Sequence, residues 1–254
     1  MTSLLQAYYQ NDFLEMIYRK ICTIGYVEKA IKFKGEEVIH HKIAIGCTDF
    51  LLSDRKELIR RWIGTESLQI TENLDLFEHT LDEMKDLGYH WDKSRLHLGK
   101  ELHGNIWKPE IYVYHSHPDH PNAFGMSFDL GNHTYSQYEV FHASWLEALI
   151  SLRTFLSNVE YNHLTYVLGH CSDMTHKHIR KIDKRYLYNI YFSLFLPYEE
   201  IKQDLYALVI AFTGKHFQEY AADFVAFPIL AMIHVSQEVD GPRQFSLYFR
   251  PKDT

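Results

Sequence analysis

Seventeen of the 254 residues are histidine. One segment concentrates them with other metal-binding groups: Ile111-Tyr-Val-Tyr-His115-Ser-His117-Pro-Asp119-His120-Pro121. Residues two apart in a strand share a face, so Ile111, Val113, His115 and His117 form one row that ends in two imidazoles. Pro118 stops the ladder, and Asp119 and His120 follow in the turn. Imidazole nitrogen and carboxylate oxygen are ligands for zinc or another divalent transition metal. With one coordination position left open, such a metal turns bound water into a nucleophile at neutral pH. The spacing therefore predicts a metal site of His115, His117, Asp119 and His120, with Asp129 and His170 as further ligands. Asp119 is either a ligand or the catalytic base that holds the water. The expected reaction is hydrolysis of a phosphoester, amide or ester in a small-molecule or peptide substrate.

His115, His117, Asp119 and His120 resemble the His-x-His-x-Asp-His signature of the metallo-β-lactamase fold position for position. That resemblance implies a later histidine, a bridging aspartate and a final histidine. Gly169-His170 is placed to supply the first, and no downstream Gly-Asp pair supplies the second. Tyr114 to Pro121 also resembles the His-x-His-Pro half of the JAMM metalloprotease motif. The Ser-x-x-Asp half of that motif is absent, because one residue, not two, separates Ser127 from Asp129.

Each of these features also has a purely structural reading. Histidines at strand ends serve as hydrogen-bonded surface groups, and Pro-Asp-His-Pro is good turn material. Gly169-His170-Cys171 reads as a glycine turn with a buried cysteine in preference to a metal or nucleophile site. His176 to Arg185 is a basic run that suits a solvated helix face before it suits a docking site for a phosphate or an acidic partner. The competing functional class is a non-catalytic inhibitor or immunity-type domain whose tyrosines bind a protein partner.

Composition narrows the field. Hydrophobic residues make up 46% and charged residues 23% of the chain, which is globular and not disordered. A net charge of −7 disfavours general nucleic-acid or membrane-surface binding. No apolar run has the length of a membrane span. The first residues read as no signal peptide, and three scattered cysteines fit a reducing compartment, so the expected location is cytoplasmic.

The elements that must position these groups follow from periodicity. Helices are predicted over 12–24, 53–64 and 71–88 from caps and apolar spacing. Residues 26–46 read as a hairpin turning at Gly35, and 89–108 read as loop or irregular strands. Glu110–His117 and Phe124–Leu130 read as neighbouring strands. Ser136-Gln-Tyr-Glu139 has capping-box spacing and is expected to open a helix through Phe141, Trp145, Leu149 and Leu156. Leu164–Leu168 is expected as a strand and Met174–Arg185 as an exposed helix. Tyr188–Leu196 alternates as a strand, and a helix with Ile201, Leu205 and Leu208 runs to Gly214. Residues 217–227 are expected to be helical, and two final strands pair around Asp240-Gly241. Strands and helices intersperse without a βαβ rhythm. The predicted fold is α+β, a single domain over 1–254 with a mostly antiparallel sheet and packed amphipathic helices.

Overall fold

A computed structural model describes residues 25–47, 95–103, 106–116, 123–129, 134–171, 177–182 and 184–252. The helices expected over 12–24, 53–64 and 71–88 lie outside the described residues. The fold is α+β, and every strand pairing is antiparallel. The chain divides into two compact units, one of residues 1–27, 43–137 and 254, the other of 28–42 and 138–253.

In the first unit, the end of β2 (Glu37–Cys47) pairs with β3 (Arg95–His103). β3 pairs with β4 (Ile106–Ser116), and β4 with β5 (Ala123–Asp129). Register aligns Ile45, Leu98, Ile111 and Phe128 in one row, and Cys47, Leu96, Val113 and Met126 in another. The two rows have the same parity, so these residues share one face of the sheet. β3 is a regular strand in the segment expected to be irregular. Its apolar positions, Leu96, Leu98 and Leu102, are separated by His, Gly, Lys and Glu, a weak alternation that becomes legible only beside its partners.

The second unit carries the sheet β1 (Gly25–Lys34), β10 (Arg243–Arg250), β9 (Ile229–Glu238), β8 (Tyr186–Pro197), β7 (Lys177–Ile182) and β6 (Thr134–Ser144), in that hydrogen-bonded order. The β1–β2 turn sits at Gly35, whose φ of 57° is the left-handed conformation that glycine adopts without a Cβ clash. The 134–144 segment is strand, not the start of a helix. Tyr135, Tyr138, Val140 and Phe141 favour the pleated surface, and a second capping box eight residues on takes the helix start. Ser144 caps α1 (Trp145–Leu152), with Glu147 reaching back to the Ser144 backbone N–H. The expected strand at 164–168 is likewise helix, within α2 (Asn158–Gly169). Here Ser157 and Glu160 form the capping box, with N–H to oxygen distances of 2.7 and 3.2 Å. Leu164, Val167 and Leu168 then fall on one buried helical face. The basic segment expected as a helix forms β7, whose backbone is paired with β6 on one side and β8 on the other.

α3 (Tyr198–Thr213) follows Pro197 and ends at Gly214, whose φ is 68°. Two 3₁₀ turns follow, Phe217–Glu219 and Ala221–Phe224. α3 and these turns cover one face of the sheet. Phe212 stacks on Phe245 at 4.7 Å, and Phe217 and Phe224 lie 5.8 and 4.6 Å from Phe249. The covered face consists of Ile31, Leu247, Ile233 and Phe192 in one row and Phe33, Phe245, Val235 and Ile190 in the next, all buried. This apolar burial is the main stabilising term of the unit.

Candidate functional site

Three of the six predicted metal ligands, His115, Asp129 and His170, fall among the described residues. His115 lies in β4, aligned with Phe124 of β5. His117, Asp119 and His120 lie outside the described residues. Asp129 is aligned with Glu110, at the other end of the same strand pair. Five strand positions separate it from Phe124, roughly 17 Å at the rise of a strand. His170 is the C-cap of α2, and its Nε2 sits 2.6 Å from Asp204 Oδ2 on α3. Cys171 is a free, half-buried thiol, and burial pushes its pKa up, which favours the unreactive form. Among the described residues, no group of three or more His, Cys, Asp or Glu is arranged to hold a metal ion.

A different cluster emerges from the register of the second unit. Strands β1, β10, β9 and β8 align three polar-rich rows on the face opposite α3. The first row is Lys34, Gln244, Ser236 and Asn189. The second is Lys32, Ser246, His234 and Tyr191, and the third is Ala30, Tyr248, Met232 and Ser193. Alternation demands this arrangement once the other parity is committed to the helices. A solvated outer face would leave these side chains exposed. Instead Lys32, Asn189, His234, Ser236, Ser246 and Tyr248 are all buried. Buried polar groups of this density need partners, and most of them have one.

His234 is the centre of the network. Its Nε2–H donates to Asn189 Oδ1 at 2.8 Å, and its Nδ1 lies 3.2 Å from Ser246 Oγ. An amide oxygen only accepts, so this assignment puts the proton on Nε2 and leaves Nδ1 to accept from the Ser246 hydroxyl. The Gln244 amide nitrogen donates to Ser246 Oγ at 3.2 Å. The Tyr191 ring stacks on the imidazole at 4.1 Å and 16°. Both ring nitrogens and one ring face are thus occupied, which holds the imidazole in one orientation.

Charge borders the network on two sides. Lys34 Nζ is 2.9 Å from Glu238 Oε1. Arg250 donates from Nε and Nη2 to the buried Glu28 carboxylate at 3.1 and 3.0 Å. Three cations, Lys32, Lys34 and Arg250, accompany two carboxylates, Glu28 and Glu238. One hydroxyl in the first row is left over. Ser236 Oγ is fully buried and has no hydrogen-bond partner among the described residues, a state that costs about 1–3 kcal/mol. Chemically, the face offers donors, two phenols and positive charge, a set suited to an organic ligand with an acceptor group.

Sequence reasoning passed over this face. Its signal was present as polar residues alternating in β9 and β10, but half-buried strands ordinarily turn such residues to water. Nothing in the pattern marked them as enclosed.

No protein-family model matches the chain, and no curated protein matches it in sequence. Among solved structures, the fold is similar to the crystal structure of 5-dimethylallyltryptophan synthase from Streptomyces coelicolor. The superposition covers 89% of this chain and 81% of that one, with a TM-score of 0.52 and 11% sequence identity. The likeness concerns the fold. No helix among the described residues is long and apolar enough to cross a membrane.

Proposed function

We propose that the polar face of the second unit is a small-molecule active site and that the chain transfers an allyl-type group to an aromatic acceptor. One observation carries this reading: a row-by-row polar face, buried although polar, lies opposite the face that takes the apolar packing. The name of the Streptomyces coelicolor synthase places a dimethylallyl group on tryptophan for that enzyme, and a shared fold makes related chemistry the first to test here. In such a transfer the donor's carbon–oxygen bond breaks and a new carbon–carbon bond forms to the aromatic ring. The ring then gives up a proton. Lys32, Lys34 and Arg250 supply the positive charge that an anionic leaving group requires. Tyr191 and Tyr248, with ring centroids 6.3 Å apart, supply aromatic surface. Burial of the face excludes the water that would otherwise capture the transferred group. We place this activity in the cytoplasm, where free thiols such as Cys171 persist.

The test is incubation of the purified chain with an allylic diphosphate and a panel of aromatic acceptors, followed by mass spectrometry. The expected product is an acceptor carrying one allyl group, lost in Lys32→Ala. An absence of product, together with an absence of calorimetric binding of any aromatic acceptor, refutes the proposal.

A second reading keeps the metal-dependent hydrolase. The His115, His117, Asp119 and His120 spacing favours it, with zinc as the first metal to try. Metal analysis of the purified chain tests it independently of the transfer assay.

A further inference from the structure

We infer that Ser236 and Asn189 form a carboxylate-recognition subsite, so that the aromatic acceptor is an acid. The inference rests on the proposed small-molecule reading of the same face and narrows its substrate class. Ser236 and Asn189 are cross-strand partners in the first row, on β9 and β8. Directly opposed residues hold their Cβ atoms about 5 Å apart, close enough for both side chains to meet one ligand group. The Asn189 carbonyl oxygen is committed to His234 Nε2–H at 2.8 Å. That bond fixes the amide rotamer and turns its NH₂ donors away from the imidazole. Among the described residues, the Ser236 hydroxyl has no hydrogen-bond partner, and the hydrogen bond of the Asn189 side chain runs through its oxygen. A buried hydroxyl without a partner, beside an amide that presents its NH₂, calls for an acceptor group on the ligand.

A carboxylate fits this description better than a neutral carbonyl. It has two oxygens and about four lone-pair sites, enough for a hydroxyl and an amide at once. Lys34 stands in the same row and Lys32 in the next. Lys34 is ion-paired with Glu238, and the three cations of the face outnumber its two carboxylates by one, which favours an anion. Bonds to an ionised acceptor are also stronger than neutral ones. His234 acts here as a positioning residue, because its bond determines which end of the Asn189 amide faces the ligand.

The experiment is calorimetric titration of the full chain with indole-3-propionate and phenylpropionate, each beside its primary amide. The natural chain is expected to bind at least one acid about tenfold or more tighter than its amide, as for a hydrogen-bonded charge. Ser236→Ala is expected to weaken the acid about tenfold and leave the amide within about twofold. The same variant should show an unchanged or raised melting temperature without ligand, since it removes a buried hydroxyl that has no partner. A residue with a merely structural role would not split acid from amide. Asn189→Asp, which exchanges donors for a negative acceptor, should reverse the preference and favour the amide. Equal binding of acid and amide, or an acid preference that survives Ser236→Ala, overturns the inference and leaves the small-molecule reading standing. No binding of any of the four compounds overturns both.

Discussion

Lys29 offers the sharpest test of how the second unit is held together. It sits on the helix-covered parity of β1 and is fully buried. Its Nζ donates to the Asp223 carbonyl at 2.5 Å and lies 5.0 and 5.9 Å from the Phe224 and Phe227 ring centroids. Desolvation lowers its pKa from 10.5 to about 8, and the Asp223 charge only partly opposes that shift. The difference of about 2.5 units corresponds to about 3 kcal/mol at 1.36 kcal/mol per unit. Between pH 8 and 10.5 the unfolded chain binds a proton that the folded chain has released, so stability rises with pH across this window. The gain is complete above the unfolded pKa and is lost as pH falls through the folded one. Lys29→Met removes the titration. At neutral pH the variant also removes the cost of burying the charge while leaving the Asp223 carbonyl without this donor, a loss of about 1–2 kcal/mol. The net expectation there is a stability equal to or about 1–2 kcal/mol above that of the natural chain. The assay is urea denaturation of both proteins at about pH 7, 8.5 and 10. Tyrosine titration is common to both and cancels in the difference. A difference between the two proteins that stays constant within about 0.5 kcal/mol from pH 7 to 10 would refute the reasoning.

Other consequences follow from single contacts. Glu160 is buried, ion-paired with Arg243 and part of the α2 capping box, so Glu160→Ala should cost about 3–5 kcal/mol in chemical denaturation, whereas a loss below about 1 kcal/mol would contradict the pairing. Gly214→Ala adds a Cβ into open space but at a φ of 68°, so a loss of about 1–2 kcal/mol would come from backbone strain alone. Phe217→Ala empties a fully buried position between Phe224, Phe249 and Tyr198, and denaturation should report about 3–5 kcal/mol. For the hydrolase reading, the natural chain purified without an affinity tag should carry stoichiometric metal that His117→Ala loses. Metal content unaffected by that substitution sinks that site.

Sequence periodicity alone determined the elements whose signals are local. The Gly35 hairpin, the β8 alternation ended by Pro197, α3 stopped by Gly214 and the β9–β10 pair all follow from turn chemistry and a repeat of two or of about 3.6. It misassigned β6, α2 and β7. In each case the local pattern satisfied two states, and sheet neighbours or a better-placed capping box decided between them. The metal reading rests on spacing, which places ligands along the chain but not in space: register sets His115 and Asp129 at opposite ends of one strand pair, and His117, Asp119 and His120 lie outside the described residues. The polar face is the converse case. Asn189 is 45 residues from His234, and Asn189, His234, Ser236 and Ser246 look like ordinary outward-facing strand residues. Only antiparallel register brings them into adjacent rows, and only tertiary burial gives the Ser236 hydroxyl its unmet demand for a partner. Alternation tells which residues share a face. Whether that face meets water or an enclosed site is a property of everything packed around it.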